Sequence, residues 1–310
     1  MDAGVPIAGT SLWQDAWRRL RRNRLAVCGM VVVACIVTAS LAGPPIIEYA
    51  TGHTYDRIPA DSGLIRSFSP LTAPDGSFSW SHPMGTDIAG RDLLARVLIG
   101  GRISLMVGLI STLVSLVIGT TYGATAGYLG GRTDEVLMRI VDALYSIPYM
   151  MVVIVLLALF GSRSPLGQLA LLFFALGAVS WLTMARIVRG QVIMLKNQEF
   201  VLAARATGVR PMLIVARHLV PNTLGPVIVY ATLTIPSVML LEAFLSFLGL
   251  GVQAPLASWG SLAADGVQNI AVFPWQLICP GVTMAVTLLS LNFVGDGLRD
   301  ALDPQMRKSA

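Results

Sequence analysis

The chain has 310 residues, 55% hydrophobic and only 13% charged, with a formal net charge of +5; mean hydropathy is +0.70. Water-soluble domains carry about 25% charged residues, so a soluble enzyme or globular binding module is excluded as the main body of the protein. The basic excess does not point to nucleic acid, because the arginines stand beside long apolar runs and report the orientation of a membrane protein.

Trp13, Trp17 and Leu20 recur at i, i+4 and i+7 beside Arg18, Arg19, Arg21, Arg22 and Arg24. This is the pattern of an amphipathic helix lying in a membrane interface, and residues 1–25 are read as a cytoplasmic N-terminus carrying it. No Asp, Glu, Lys or Arg occurs from Leu25 to Ile47. Crossing hydrocarbon takes about 20 helical residues, so 26–47 is the first predicted span. Its basic flank and Ser40-Leu41-Ala42 loosely resemble a cleaved signal. A signal's apolar core reaches only about 15 residues, so the segment is read as a retained anchor. Residues 48–102 are predicted as an external segment, made of loops and turns up to about residue 90 from their Pro, Gly, Ser, Thr and Asp content.

The second span is predicted at 104–126. Ser111, Ser115, Gly119, Gly123 and Gly127 stand four apart on it, a stripe of small residues that allows close helix contact in lipid. Further spans are predicted at 137–160, 166–187, 223–248 and 277–297. The loop 161–165 is so short that its two spans are expected to pair antiparallel. The core is thus 103–298, with a cytoplasmic loop 188–222, an external loop 249–276 and a cytoplasmic tail 299–310. With both termini cytoplasmic, most of the 22 Lys and Arg residues fall inside. The fold class is an all-α integral membrane protein with six transmembrane helices.

Catalytic chemistry finds little support. The only lysines are Lys196 and Lys308, so no phosphate-cradling Gly-Lys-Ser/Thr loop exists. Gly-x-Ser-x-Gly and His-Glu-x-x-His are absent. His53 and His82 are predicted outside and His218 inside, so they share no metal site. Cys28, Cys35 and Cys279 fall in apolar spans and read as small hydrophobes. No catalytic residue, metal site or cofactor is assigned to the chain itself.

The informative segment is the cytoplasmic loop around 199–221. Residues 199–207 favour helix, Gly208 can end it at positive φ, and Pro211 suits the first turn of a second helix. Pro221 is expected to end that second helix, with Asn222 capping the fifth span. Small Ala203 and Ala204 are expected on the surface of this helix–Gly–helix knob, which can seat in a groove on another protein.

Ala203, Ala204, Gly208 and Pro221 resemble the Glu-Ala-Ala loop of ABC importer permeases. Leu202 stands where that family usually has Glu, and Arg205 follows the two alanines. His82-Pro-Met-Gly-Thr-Asp87, Gly90-Arg-Asp92, the stretch Glu242 to Gln253, Ser258-Trp-Gly260 and Gly295 to Pro304 extend the likeness. Together they resemble the C-type permease subunits of dipeptide/oligopeptide ABC importers, a subfamily that includes nickel permeases. The resemblance implies a type I importer permease fold, forming half of a pore in a bacterial cytoplasmic membrane. It implies docking of the 199–221 loop on an ATPase, and as partners a B-type permease, two ATPase domains and an external substrate-binding protein. ATP and Mg would be bound by the ATPase partners.

Glu242, near Ser246, and Asp142 are candidate residues of a translocation path; alternatively each is a structural carboxylate satisfied by a partner. Asp87, Arg91, Asp92 and Trp259 are candidate contacts for the binding protein, while the first three can equally fix the turn before the second span. Arg299 and Asp303 are spaced to pair at i and i+4. Pro148, Pro226, Pro236 and Pro280 are read as static kinks. A secondary transporter or channel using Asp142 and Glu242 for ion coupling stays open as an alternative, as does nickel or another small solute as cargo.

Overall fold

A computed structural model describes residues 12–52, 54–56, 69–72, 77–78, 80, 82–161 and 164–302, with side chains from residue 14 onward. A short helix α1 (Leu12–Arg22) turns at Asn23 into α2 (Arg24–Thr51), where the Asn23 side chain accepts from the Ala26 N–H. The bundle continues with α3 (Leu93–Leu129), α4 (Gly131–Ser146), α5 (Tyr149–Phe160) and α6 (Pro165–Leu195). Two short helices, α7 (Glu199–Ala206) and α8 (Pro211–Ile214), lead through a π turn (Val215–Leu219) into α9 (Val220–Phe247). Helices α10 (Trp259–Gln268) and α11 (Trp275–Leu302) complete the described chain. Among the described residues, five helical stretches are long and apolar enough to cross a membrane, and six if α4 and α5 form one broken span. Helix is the expected answer for such runs, since hydrocarbon offers no partner to a free backbone N–H or C=O.

The centre of the bundle is α3 against α6, and the small-residue stripe makes it possible. A Cβ on Gly119 would lie 2.5 Å from the Met184 Cβ, and one on Gly127 would lie 2.8 Å from the Arg189 carbonyl oxygen. At Gly123 a Cβ would collide with the carbonyl of Ala185. Backbones this close gain dispersion contacts that lipid tails would otherwise supply. The predicted pair 137–160 and 166–187 is only partly realised: α5 shares a buried cluster with α6 through Val153, Leu157, Leu169 and Leu172.

Four expectations need correction. The second membrane helix begins at Leu93, not 104, because Asp92 caps it by accepting from the Ala95 N–H at 2.7 Å and because Arg96 is buried and neutralised. The expected span 137–160 breaks at Ile147-Pro148, where α4 and α5 diverge by 79°, so Pro148 is a corner and not a gentle kink. Pro221 does not end a helix. It sits in the first turn of α9, directly after the π turn, in which the Val220 N–H donates to the Val215 carbonyl five residues back. Proline lacks an N–H and crowds the preceding turn; the wider π turn takes up that mismatch. The helix therefore runs from Pro211 to Phe247. Asn222 donates to the His218 carbonyl at 2.6 Å instead of capping a span.

At the bundle's α1 end, Ala16 and Leu20 pack on Ala26 and Ala301, while Trp17 stays 48% exposed. Trp13's side chain, His53 and Asp303 lie outside what is described, and with Asp303 the expected pair to Arg299.

Candidate functional site

One end of the bundle carries α7 and α8, hereafter the loop end. Helix α7 closes in a Schellman motif: the Val209 N–H donates to the Ala204 carbonyl and the Gly208 N–H to the Arg205 carbonyl. Gly208 adopts φ +76°, which a residue with a Cβ resists. The glycine break predicted from sequence is thus present. Ala204 differs from expectation. It is buried with Val201 against Val188, Val192, Ile214 and Leu219, since one face of a short helix must anchor it. Ala203 is exposed, and Arg205 lies over the Tyr128 ring at 5.2 Å. The outward face offers large apolar side chains: Phe200, Leu202, Met212 and Leu213 are 39–73% exposed. Such clustering on a loop marks a contact surface. Sequence reasoning named Leu202 but missed Phe200, Met212 and Leu213, whose signal was apolar residues flanking the glycine break.

Ion pairs tie α4 to α6 beside this loop. Arg189 grips Asp134 with two N–H donors at 2.5 and 2.7 Å. That pairing, chiefly the hydrogen bonding from Arg189, holds the Asp134 carboxyl below the usual carboxylate range. Farther along, Arg186 donates to Asp142 at 2.6 Å and lies over the Tyr145 ring at 4.2 Å. Tyr145 in turn shares a hydrogen bond with Thr183.

A cavity of about 590 Å³ opens where the α4–α5 corner faces α6 and α9. Tyr145, Tyr149, Thr183, Tyr230, Thr234 and Ser237 bring hydroxyl groups to it, and no charged side chain is among its lining residues. Its α9 wall is Tyr230, Leu233, Thr234, Ser237, Val238 and Leu241, one face of a helix at spacings of three and four. Asp142, Glu242 and Ser246, the sequence candidates for a path, do not line it. Asp142 is spent on Arg186, from a neighbouring helix. Glu242, one position past Leu241, points instead into the protein and is 1% exposed.

Glu242 belongs to the opposite, cap end. Its Oε1 accepts from Ser246 at 2.7 Å and from Ser258 at 2.6 Å. Ser258 also caps α10, and the following Trp259 N–H donates to Ser104 on α3 at 3.0 Å. The Trp259 indole N–H donates to the Val97 carbonyl at 2.8 Å. One carboxylate thus joins α3, α9 and α10. Beside it, Asp87 Oδ1 accepts from the backbone of Ala89 and Arg91. Its Oδ2 accepts from the Arg91 side chain at 2.7 Å and from Arg96 at 2.6 Å. Asp92 bonds His82 at 2.9 Å. Asp87, Asp92 and Trp259 are 6%, 4% and 1% exposed. They offer no side-chain surface to a docking protein; they fix the turn and hold α10 down. Arg91, 18% exposed in its side chain, alone of the four reaches the surface. On α10 itself Asp265 stands at the rim, and loss of solvent around its carboxyl raises its pKa above the ordinary carboxylate value.

Residues 119–308 match the family model for the binding-protein-dependent transport system inner membrane component. Residues 11–62 match that for the N-terminal TM domain of oligopeptide transport permease C. The chain is 50% identical over 303 residues to the oligopeptide transport system permease protein OppC of Escherichia coli (strain K12), covering 98% of this chain and 94% of that one. It is 42% identical over 299 residues to the dipeptide transport system permease protein DppC of Bacillus subtilis (strain 168), covering 96% and 87%. Among solved structures, an inward-facing form of the MetNI methionine ABC transporter aligns with TM-score 0.53 and 20% identity, over 67% of this chain and 96% of that one, a likeness of fold.

Proposed function

Because the chain belongs to the family of binding-protein-dependent transport system inner membrane components, we propose that it forms half of the pathway of an importer for di- and oligopeptides and that its 199–221 loop takes up motion from an ATPase. It is a transmembrane permease subunit of an ATP-binding-cassette transporter, and it is not an enzyme: ATP hydrolysis belongs to separate subunits. It resides in the inner membrane as a multi-pass protein and works with other permease and ATPase subunits and a substrate-binding protein. The finer assignment is a B-type permease as the second half, two ATPase domains holding ATP and Mg, and both termini in the cytoplasm.

The observation that carries the coupling role is the exposed apolar face of α7 and α8 on either side of Gly208. Helix α7 is anchored from behind by Val201 and Ala204 and presents Phe200, Leu202 and Ala203 outward, beside Met212 and Leu213 of α8. Leu202 replaces the family's usual Glu with an apolar side chain, so here the contact rests on burial more than on an ion pair. Burying what remains exposed of four such side chains supplies on the order of 1 kcal/mol each, before the costs of association. The cavity at the α4–α5 corner supports the pathway reading: hydroxyls without charge hydrogen-bond a peptide backbone while staying indifferent to side-chain charge. Peptide as cargo comes from the relatives named oligopeptide and dipeptide permeases.

The test uses the complex purified with its partners. Gly208→Glu, and separately Leu202→Asp with Met212→Asp, are expected to abolish co-purification of the ATPase and substrate-stimulated hydrolysis while leaving the permease inserted. Unchanged assembly and hydrolysis would falsify the docking role.

A further inference from the structure

We propose that the elbow between α1 and α2 is a binding surface for anionic phospholipid headgroups. From Gln14 to Arg24 the chain carries Arg18, Arg19, Arg21, Arg22 and Arg24 against a single acid, Asp15. Asp15 reaches Arg18 at 3.9 Å. No other ion pair to these arginines occurs among the described residues. The helix is held in place from one side: Ala16 and Leu20, each 6% exposed, pack on Ala26 and Ala301. Arg18, Arg21 and Arg22 therefore project from the free face with Trp17, and the Arg21 guanidinium lies over the Trp17 ring at 4.8 Å.

The depth of this face follows from α2. Leu25, the residue after Arg24, is 59% exposed, and no charge follows until Glu48, so α2 enters hydrocarbon directly beyond the elbow. The arginines thus stand at headgroup level, where a Trp ring is also at home. Guanidinium groups present paired N–H donors that match phosphate oxygens. An excess of four positive charges at this depth favours an anionic headgroup over a zwitterionic one. The inference rests on the membrane reading, but not on the cargo or on the direction of transport.

The test reconstitutes the complex into vesicles of phosphatidylcholine and phosphatidylglycerol at about two to one, so that the surface carries a negative potential. Bromine quenchers are carried on the acyl chains of one lipid or the other, and the Trp17 signal is isolated by difference with Trp17→Phe. Quenching is expected to be roughly threefold stronger, per quencher, when the bromine is on phosphatidylglycerol. Replacing Arg18, Arg21, Arg22 and Arg24 by Gln should abolish that preference, replacing them by Lys should keep most of it, and high salt should weaken it. Equal quenching by both lipids in the native protein overturns the proposal. So does a Gln variant that keeps the lipid preference but loses its ATPase, which would make the elbow a protein contact. Failure of peptide uptake with the lipid preference intact would sink the cargo assignment and leave this inference standing.

Discussion

The two ends of the bundle are built on opposite terms. At the cap end the charges are interior: Asp87, Asp92, Arg96 and Glu242 are all under 7% exposed and all hydrogen-bonded. At the loop end the charges are at the surface, the Arg186 and Asp142 side chains being 43% and 65% exposed, and the apolar groups are left uncovered. A buried network fixes one arrangement, because every alternative strands a charge. Exposed pairs and uncovered apolar groups tolerate change and await a partner. The cap end holds α3, α9 and α10 in register, and the loop end has no such network to fix it; the Pro148 corner lies between the two, against the α9 face from Tyr230 to Leu241.

The sharpest way to break this contrast is Asp87→Ala. It leaves Arg96 buried without its carboxylate, a change that costs about 3–5 kcal/mol. The expected outcome is a severe fall in the thermal midpoint of the detergent-purified protein or in its yield. A midpoint near the native one would show the cap end to be no more rigid than the loop end. Glu242→Ala should follow, at about 1–3 kcal/mol, because the Ser246 and Ser258 hydroxyls lose a shared acceptor; the same melting measurement reads it. Arg186→Gln at the loop end should cost under about 1 kcal/mol, as exposed pairs do, yet alter the accessibility of a cysteine placed at Ser237 in the cavity.

The smallest effect is on pH. The Asp265 carboxyl has a pKa raised in the folded protein. Its contribution to stability is therefore fully present below its unfolded pKa and lost as pH rises through the folded value. Near neutral pH the ionised carboxyl is a slight liability. Asp265→Asn should flatten the decline in thermal midpoint between the ordinary carboxylate range and neutrality. An unchanged slope would place Asp265 in open solvent.

Much of the fold was legible because membrane helices announce themselves by what they lack. Charge-free runs located the spans, and the four-residue spacing from Ser111 to Gly127 identified the face that meets α6. Gly208 was legible because a Schellman close needs positive φ, which glycine adopts at no steric cost. The rest depended on partners far away in sequence. Arg96 looked like an external charge until Asp87 and the cap-end packing placed it inside, and so the start of α3 was set too late. Glu242 read either as a path residue or as a structural carboxylate satisfied by a partner; nothing local revealed that partner as Ser258, sixteen residues on. The Pro148 corner was hidden inside the charge-free run from Ala143 to Ser162, which is long enough to cross hydrocarbon as one straight helix. The cavity hydroxyls, scattered over four helices, carried no common spacing to find.

The π turn before Pro221 has a mechanical consequence. By letting the chain pass that proline without ending the helix, it joins Pro211 to Phe247 in one rod of 37 residues, about 55 Å at 1.5 Å per residue. A tilt of about five degrees at one tip then sweeps the other through roughly 5 Å. Under the coupling proposed above, the Glu242 junction near the far tip would serve as the fulcrum and the exposed Met212 as the handle of the lever.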